Sequence, residues 1–221
     1  MASDLYTRSI TEYCERVGSY FYSEPINALS NIGFFISALL IYRLFKNKKV
    51  KHKGYWLLFV LIVVIGVGSS FWHTVRSPIT LALDAVPIWI FFLVFIFLLV
   101  QKLTGSKIKT FLFLLGFFLL QLTISYFFPE VLNGSIRHVT NGLTFVLISI
   151  WFYKKYSYLS RNLIIAFILY ILAIVFRSVD SSVCSYFSIG THFLWHIFNA
   201  VALYFAVKLL LEIERIRGKF E

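Results

Sequence analysis

Apolar positions in this chain fall into long unbroken blocks separated by short polar interruptions. Seven blocks of roughly 20 residues stand out, at 26–45, 55–72, 79–100, 108–128, 131–153, 162–179 and 191–211, each long enough to cross the hydrocarbon core of a bilayer as a helix. A continuous apolar run also suits a buried strand, but these runs are too long for strands and lack a period of two, so the pattern predicts helices and excludes a β-barrel. Two starts carry local signals. Ser23 or Glu24 ahead of Pro25, and Ser77 ahead of Pro78, place proline in the first turn, where its missing N–H costs nothing. The predicted architecture is all-α: a seven-transmembrane-helix bundle over residues 26–211, an external N-terminal segment at 1–25 and a cytoplasmic tail at 212–221.

Composition sharpens this reading. Only 14% of the residues are charged while 59% are hydrophobic, which excludes an ordinary soluble domain with about 25% charged residues. The 19% aromatic content excludes disorder. The first 25 residues hold Asp4, Arg8, Glu12, Glu15, Arg16 and Glu24; they lack the basic start and apolar middle of a secretory signal, so the segment is expected to be retained.

Basic residues set the orientation, because cytoplasmic loops carry an excess of them. With seven spans, sixteen of the 21 lysines and arginines fall on one side and only Arg8, Arg16, Arg76, Arg137 and Arg177 on the other. The N-terminus is therefore expected outside and the C-terminus in the cytoplasm. The net charge of +11 is then a topology signal plus attraction to anionic lipid headgroups, and no solvent-exposed basic domain remains to bind nucleic acid. Both cysteines, Cys14 and Cys184, fall on the external side, where disulfides persist. We expect a Cys14–Cys184 bridge across the mouth of the bundle; two unrelated thiols are the alternative, since sequence does not fix pairing.

Ionisable groups inside a bilayer are costly and usually functional. Asp84 is the one carboxylate well inside a predicted span. His73 closes the second span, while His192 and His196, four apart and so on one helical face, open the seventh. Ser69 and His73 share that spacing. With about 1.5 Å of rise per residue, all five positions lie within roughly 12 Å of the outer ends of their helices. Three neutral imidazoles beside a carboxylate suit zinc, and three protein ligands leave a fourth position for water, as in catalytic sites. Asp84 is then the proton carrier, and Ser69 supports the developing oxyanion. The plainer alternatives are interfacial histidines and an Asp84 paired with Arg76 or Arg137. His138 is either an extra ligand or, the preferred reading, a plain interfacial residue, and His52 is read as solvated in the basic inner loop. Glu12, Glu15 and Glu24, with Asn27, form either a calcium site or a solvated acidic cap.

At these residues the chain resembles the alkaline ceramidases, within the CREST superfamily of seven-helix membrane hydrolases. The matching segments are Glu12-Tyr-Cys-Glu15 with Glu24-Pro-Ile-Asn27 and Ser30-Asn31; Gly68-Ser69-Ser-Phe-Trp-His73 followed by Asp84 and Pro87; Asp180 followed by Cys184; and His192-Phe-Leu-Trp-His196. The resemblance implies zinc held by His73, His192 and His196, with Ser69 and Asp84 acting in hydrolysis of the ceramide amide to a sphingoid base and a fatty acid. It implies calcium at Glu12, the Tyr13 carbonyl, Glu15 and Glu24, and the same cysteine pairing. The chain departs from the family pattern where it has Glu12 in place of Asp and Val17 in place of an Asn ligand. The expectation is a zinc-dependent intramembrane lipid amidase whose substrate arrives through the bilayer. A related zinc hydrolase of another acyl lipid, and a seven-helix receptor or transporter without chemistry, are the rivals.

Overall fold

A computed structural model describes residues 13–18, 20–155 and 160–217, and the regular elements among them are all helices. α1 (Pro25–Ser30) continues through Asn31 into α2 (Ile32–Lys48); α3 (Lys53–Thr74), α4 (Pro78–Thr104), α5 (Lys107–Phe127), α6 (Ile136–Lys155), α7 (Ser160–Val183) and α8 (His192–Arg217) follow. Among the described residues six stretches are long and apolar enough to cross a membrane, α1 and α2 together counting as one. The protein is thus a multi-pass integral membrane protein. α6 has 20 residues, yet it carries Arg137, His138, Asn141, Lys154 and Lys155 and is the least apolar of the long helices.

The apolar block at 131–153 begins too early as a helix. Leu132, Asn133 and Gly134 all take positive φ, at 56°, 53° and 71°, and three successive left-handed residues are incompatible with a right-handed helix. Hydropathy runs through this turn because Val131 and Leu132 are apolar; the Asn-Gly pair after Pro129 is what turns the chain.

From α2 onward each helix packs on the next, α1 rests on α3 and α8, and α8 closes the bundle by packing against α2 while also touching α3 and α4. The shared core includes Ile41 and Phe45 of α2, Leu58 and Ile62 of α3, Phe91 and Phe95 of α4, and Val207 and Leu210 of α8, all buried. Apolar side chains also face outward, as at Phe111, Leu112, Phe118 and Leu119 of α5, which is the expected surface of a helix solvated by lipid. Side-chain polar contacts join helices where lipid offers no hydrogen bonds. Gln121 donates to Asn141 at 2.8 Å, and Asn141 donates to the Tyr170 hydroxyl at 3.0 Å, linking α5, α6 and α7.

One contact decides how α3 meets α4. Pro87 lies inside α4 and has no N–H for the carbonyl four residues earlier, that of Leu83. That freed carbonyl is turned on Gly68 of α3: a Cβ at Gly68 would stand 2.0 Å from the Leu83 oxygen and 3.1 Å from the Asp84 nitrogen. Backbone touches backbone here, one residue from both Ser69 and Asp84.

Candidate metal centre

His73 lies in the last turn of α3, and His192 and His196 occupy the first turns of α8. All three are buried, at 1%, 2% and 1% exposure. One nitrogen from each ring can be chosen so that the three lie within 4.8 Å of one another. The rings are held from outside the cluster. Glu24 Oε2 lies 2.5 Å from His73 Nδ1, and Ser30 Oγ lies 2.7 Å from His196 Nδ1. Ser30 gives its single hydroxyl proton to the Asn27 carbonyl at 2.7 Å, so toward His196 it accepts. A carboxylate likewise only accepts. Both imidazoles therefore carry their proton on Nδ1 and present a lone pair from Nε2.

Those two Nε2 atoms face each other at 3.2 Å. Two lone pairs at that distance repel unless a cation lies between them, and two nitrogens each about 2.0–2.1 Å from one tetrahedral zinc are separated by about this much. His192 brings a further sign, a buried Nδ1 without a hydrogen-bond partner. The donor set, three imidazoles with a carboxylate behind one of them, is one that zinc takes.

Four features place the third ring. The Tyr13 ring stacks on His192, with centroids 3.7 Å apart. The buried Asp180 carboxylate of α7 accepts the Thr191 and His192 amides, at 2.6 and 2.9 Å, and so caps the start of α8. Its other oxygen accepts the Cys14 amide at 3.1 Å. Cys14 is disulfide-bonded to Cys184, as the topology reading anticipated, and the strap from Tyr13 to Cys14 is thereby fixed over the cluster. Gly190 makes this closure sterically accessible: it has φ +69°, and a Cβ there would stand 2.2 Å from Asp180 Oδ1 and 2.7 Å from Cys14 Cβ.

Ser69 Oγ lies 3.4 Å from His196 Nε2. Asp84 stands close enough to Ser69 and His73 for both to act on its carboxyl, and among the described residues its carboxylate is not within ion-pair distance of Arg76 or Arg137. The structure thus gathers Ser69, His73, Asp84, His192 and His196 at one end of the bundle. His138 is buried within the bundle and packs on Trp195, with ring centroids 4.7 Å apart.

The Ceramidase family matches this chain over residues 6–218. The chain belongs to the ceramidase family. No curated protein matches it. Family membership implies a hydrolase that acts on an amide bond, and the matched stretch contains the whole histidine cluster with its supports. Within this ceramidase-family protein the described acidic residues of the N-terminal segment, Glu15 and Glu24, have partners. Glu15 accepts the Ile26 and Asn27 amides at 2.6 and 2.8 Å, capping α1 in place of the N-cap Glu24, whose own side chain makes no capping bond. Glu24 is turned to His73 and to Arg16. Burial pushes its carboxyl up, but the His73 hydrogen bond, with Arg76 and Arg16, holds it below the ordinary carboxylate value. Tyr13 gives its carbonyl to the Arg16 amide at 3.0 Å, and Glu12 lies outside the described residues.

Sequence reasoning grouped Glu24 with calcium and assigned no role to Ser30 or to the Tyr13 ring. A signal for Ser30 existed. Asn27, Ser30 and Asn31 recur at helical spacing in an otherwise apolar run and are all buried, which marks an inward polar stripe.

Proposed function

We propose that this protein is a zinc-dependent intramembrane amidase of N-acyl lipids, which cleaves the N-acyl bond of ceramide to a sphingoid base and a fatty acid. His73, His192 and His196 hold the zinc, α6 also crosses the membrane and brings the spans to seven, and the N-terminus lies outside with the C-terminus in the cytoplasm. The observation that carries the reading is the opposition of the His73 and His196 Nε2 atoms at 3.2 Å, with both Nδ1 atoms tied to acceptors.

Zinc bound there supplies Lewis acidity, which acidifies water and polarises an acyl carbonyl. The chain's own groups do the rest. Asp84 takes a proton from the attacking water at a carboxyl oxygen and returns it to the leaving amine nitrogen, so that a neutral amine departs. Ser69 Oγ–H donates to the carbonyl oxygen as negative charge develops on it. Glu24 keeps the His73 proton on Nδ1 and Ser30 does the same for His196, so neither ring turns away from the ion. The strap through Tyr13 and Cys14 covers the cluster and limits water entry from the outer face.

The test combines elemental analysis of detergent-purified protein with mass spectrometry of products from a mixed acyl-lipid panel. Wild type is expected to carry zinc and cleave ceramide while leaving phospholipid esters intact. Asp84→Asn is expected to keep zinc and lose hydrolysis; retained turnover would remove Asp84 from the mechanism. His192→Ala is expected to lose both, and a zinc-replete His192→Ala protein would refute the ligand set.

A further inference from the structure

A cavity of about 70 Å³ adjoins the histidine cluster, and Asp84, His192, Arg137 and Arg177 stand in its wall. The space exceeds what a single water needs and admits a small polar group such as a carboxylate or phosphate. Arg177 is fixed in place: its Nη1 donates to the Asn133 carbonyl at 2.9 Å and to Ser135 Oγ at 2.8 Å, and its guanidinium lies over Trp195. Arg137 has a buried Nε without a hydrogen-bond partner. Among the described residues neither arginine forms an ion pair with a carboxylate. Asp84 is the single acidic residue in the wall, so with both neighbouring imidazoles counted neutral the cavity keeps a surplus of one positive charge.

Two guanidinium groups in one half-buried wall repel each other and lose hydration, a cost that a bound anion relieves. The planar fork of arginine matches the paired oxygens of carboxylate and phosphate. We infer that Arg137 and Arg177 form an oxyanion-binding subsite beside the histidine cluster, which holds the acidic end of an amphiphile. Two sources share that chemistry: the carboxylate released by acyl hydrolysis, and a phosphate-type head on an acyl lipid. The first source rests on the amidase reading above, whereas the subsite is tested by binding alone, so either can fail without the other.

Trp72, Trp89 and Trp195 line the same cavity, which makes intrinsic fluorescence a direct report of its filling. Laurate, dodecyl phosphate and dodecanol share one chain, and none is an amide that the protein can cleave. They are titrated into detergent-purified wild type, Arg137→Gln and Arg137→Lys at about pH 8, where the carboxylate is ionised, with metal content shown to be equal. Arg137 is varied because Arg177 also supports the turn before α6. At least one anionic amphiphile is expected to bind wild type roughly tenfold or more tightly than dodecanol. Arg137→Gln is expected to lose most of that preference and Arg137→Lys to retain part of it. Preference for laurate alone identifies the carboxylate source, and tight binding of dodecyl phosphate identifies the head-group source. Equal affinity for all three in wild type, or a preference unchanged in Arg137→Gln, would overturn the subsite. Because the variants share one metal content, attraction of the anion by the metal cannot produce the difference between them.

Discussion

Gly68→Ala isolates the contact that sets Asp84 against the histidines. The added Cβ would stand 2.0 Å from the Leu83 oxygen and 2.6 Å from its carbonyl carbon, and non-bonded carbon and oxygen atoms do not approach closer than about 3 Å. Both partners are backbone, with no flexible side chain to give way, so α3 and α4 must separate by about 1 Å at this level. A displacement of about 1 Å at a reacting group costs on the order of 100-fold in rate. Overpacking costs about 1–3 kcal/mol, while alanine regains about 1 kcal/mol of helix propensity over glycine. The net loss of stability should therefore be small beside the loss of rate. The three histidines lie on α3 and α8, not on α4, so metal content should hold. The assay is ceramide turnover alongside zinc analysis and thermal unfolding in detergent. The expected result is a folded, zinc-bearing protein about 100-fold slower. Near wild-type turnover would refute the claim that this backbone contact positions Asp84.

Three further outcomes follow from the supports of the cluster. Glu24→Gln replaces the carboxylate behind His73 with an amide and should weaken metal affinity about 10- to 100-fold, read by competition with a chromogenic chelator; unchanged affinity would deny Glu24 that role. Cys14→Ser opens a bridge between residues 170 apart in sequence and should cost about 2–5 kcal/mol, seen as a lower Tm that reductant reproduces in wild type but not in the variant. Gly190→Ala places a methyl against Asp180 and Cys14 at a left-handed position; it should destabilise the protein by at least about 1–2 kcal/mol, and a Tm equal to that of wild type would contradict the close packing there.

Much of the architecture was legible before any coordinates, because a lipid solvent forces long apolar helices and makes each buried charge conspicuous. The block at 79–100 became α4, and Ser77 caps it with a reciprocal Ser77–Thr80 box as its position before Pro78 suggested. Residue type, helical spacing and depth single out Ser69, His73, Asp84, His192 and His196, and these residues lie together. Local pattern is silent on how tertiary packing uses a side chain. Glu24 falls in an acidic set along the chain, and its carboxylate lies against His73, 49 positions away, while Glu15 accepts the first amides of α1. Val131 and Leu132 looked like the start of a span but belong to a left-handed turn.

Residue order alone determined the membrane class, the approximate spans and the short roster of groups able to do chemistry, since hydropathy and helical rise are properties of neighbouring residues. Only the tertiary structure decided the tautomers of His73 and His196, the strap of Tyr13 and Cys14 over His192, the clamp of Asp180 on α8, and the pairing of Arg137 with Arg177 around one cavity. Each of these depends on which faces of distant helices meet. That in turn depends on contacts such as Gly68 against Leu83, which carry no periodic trace along the chain.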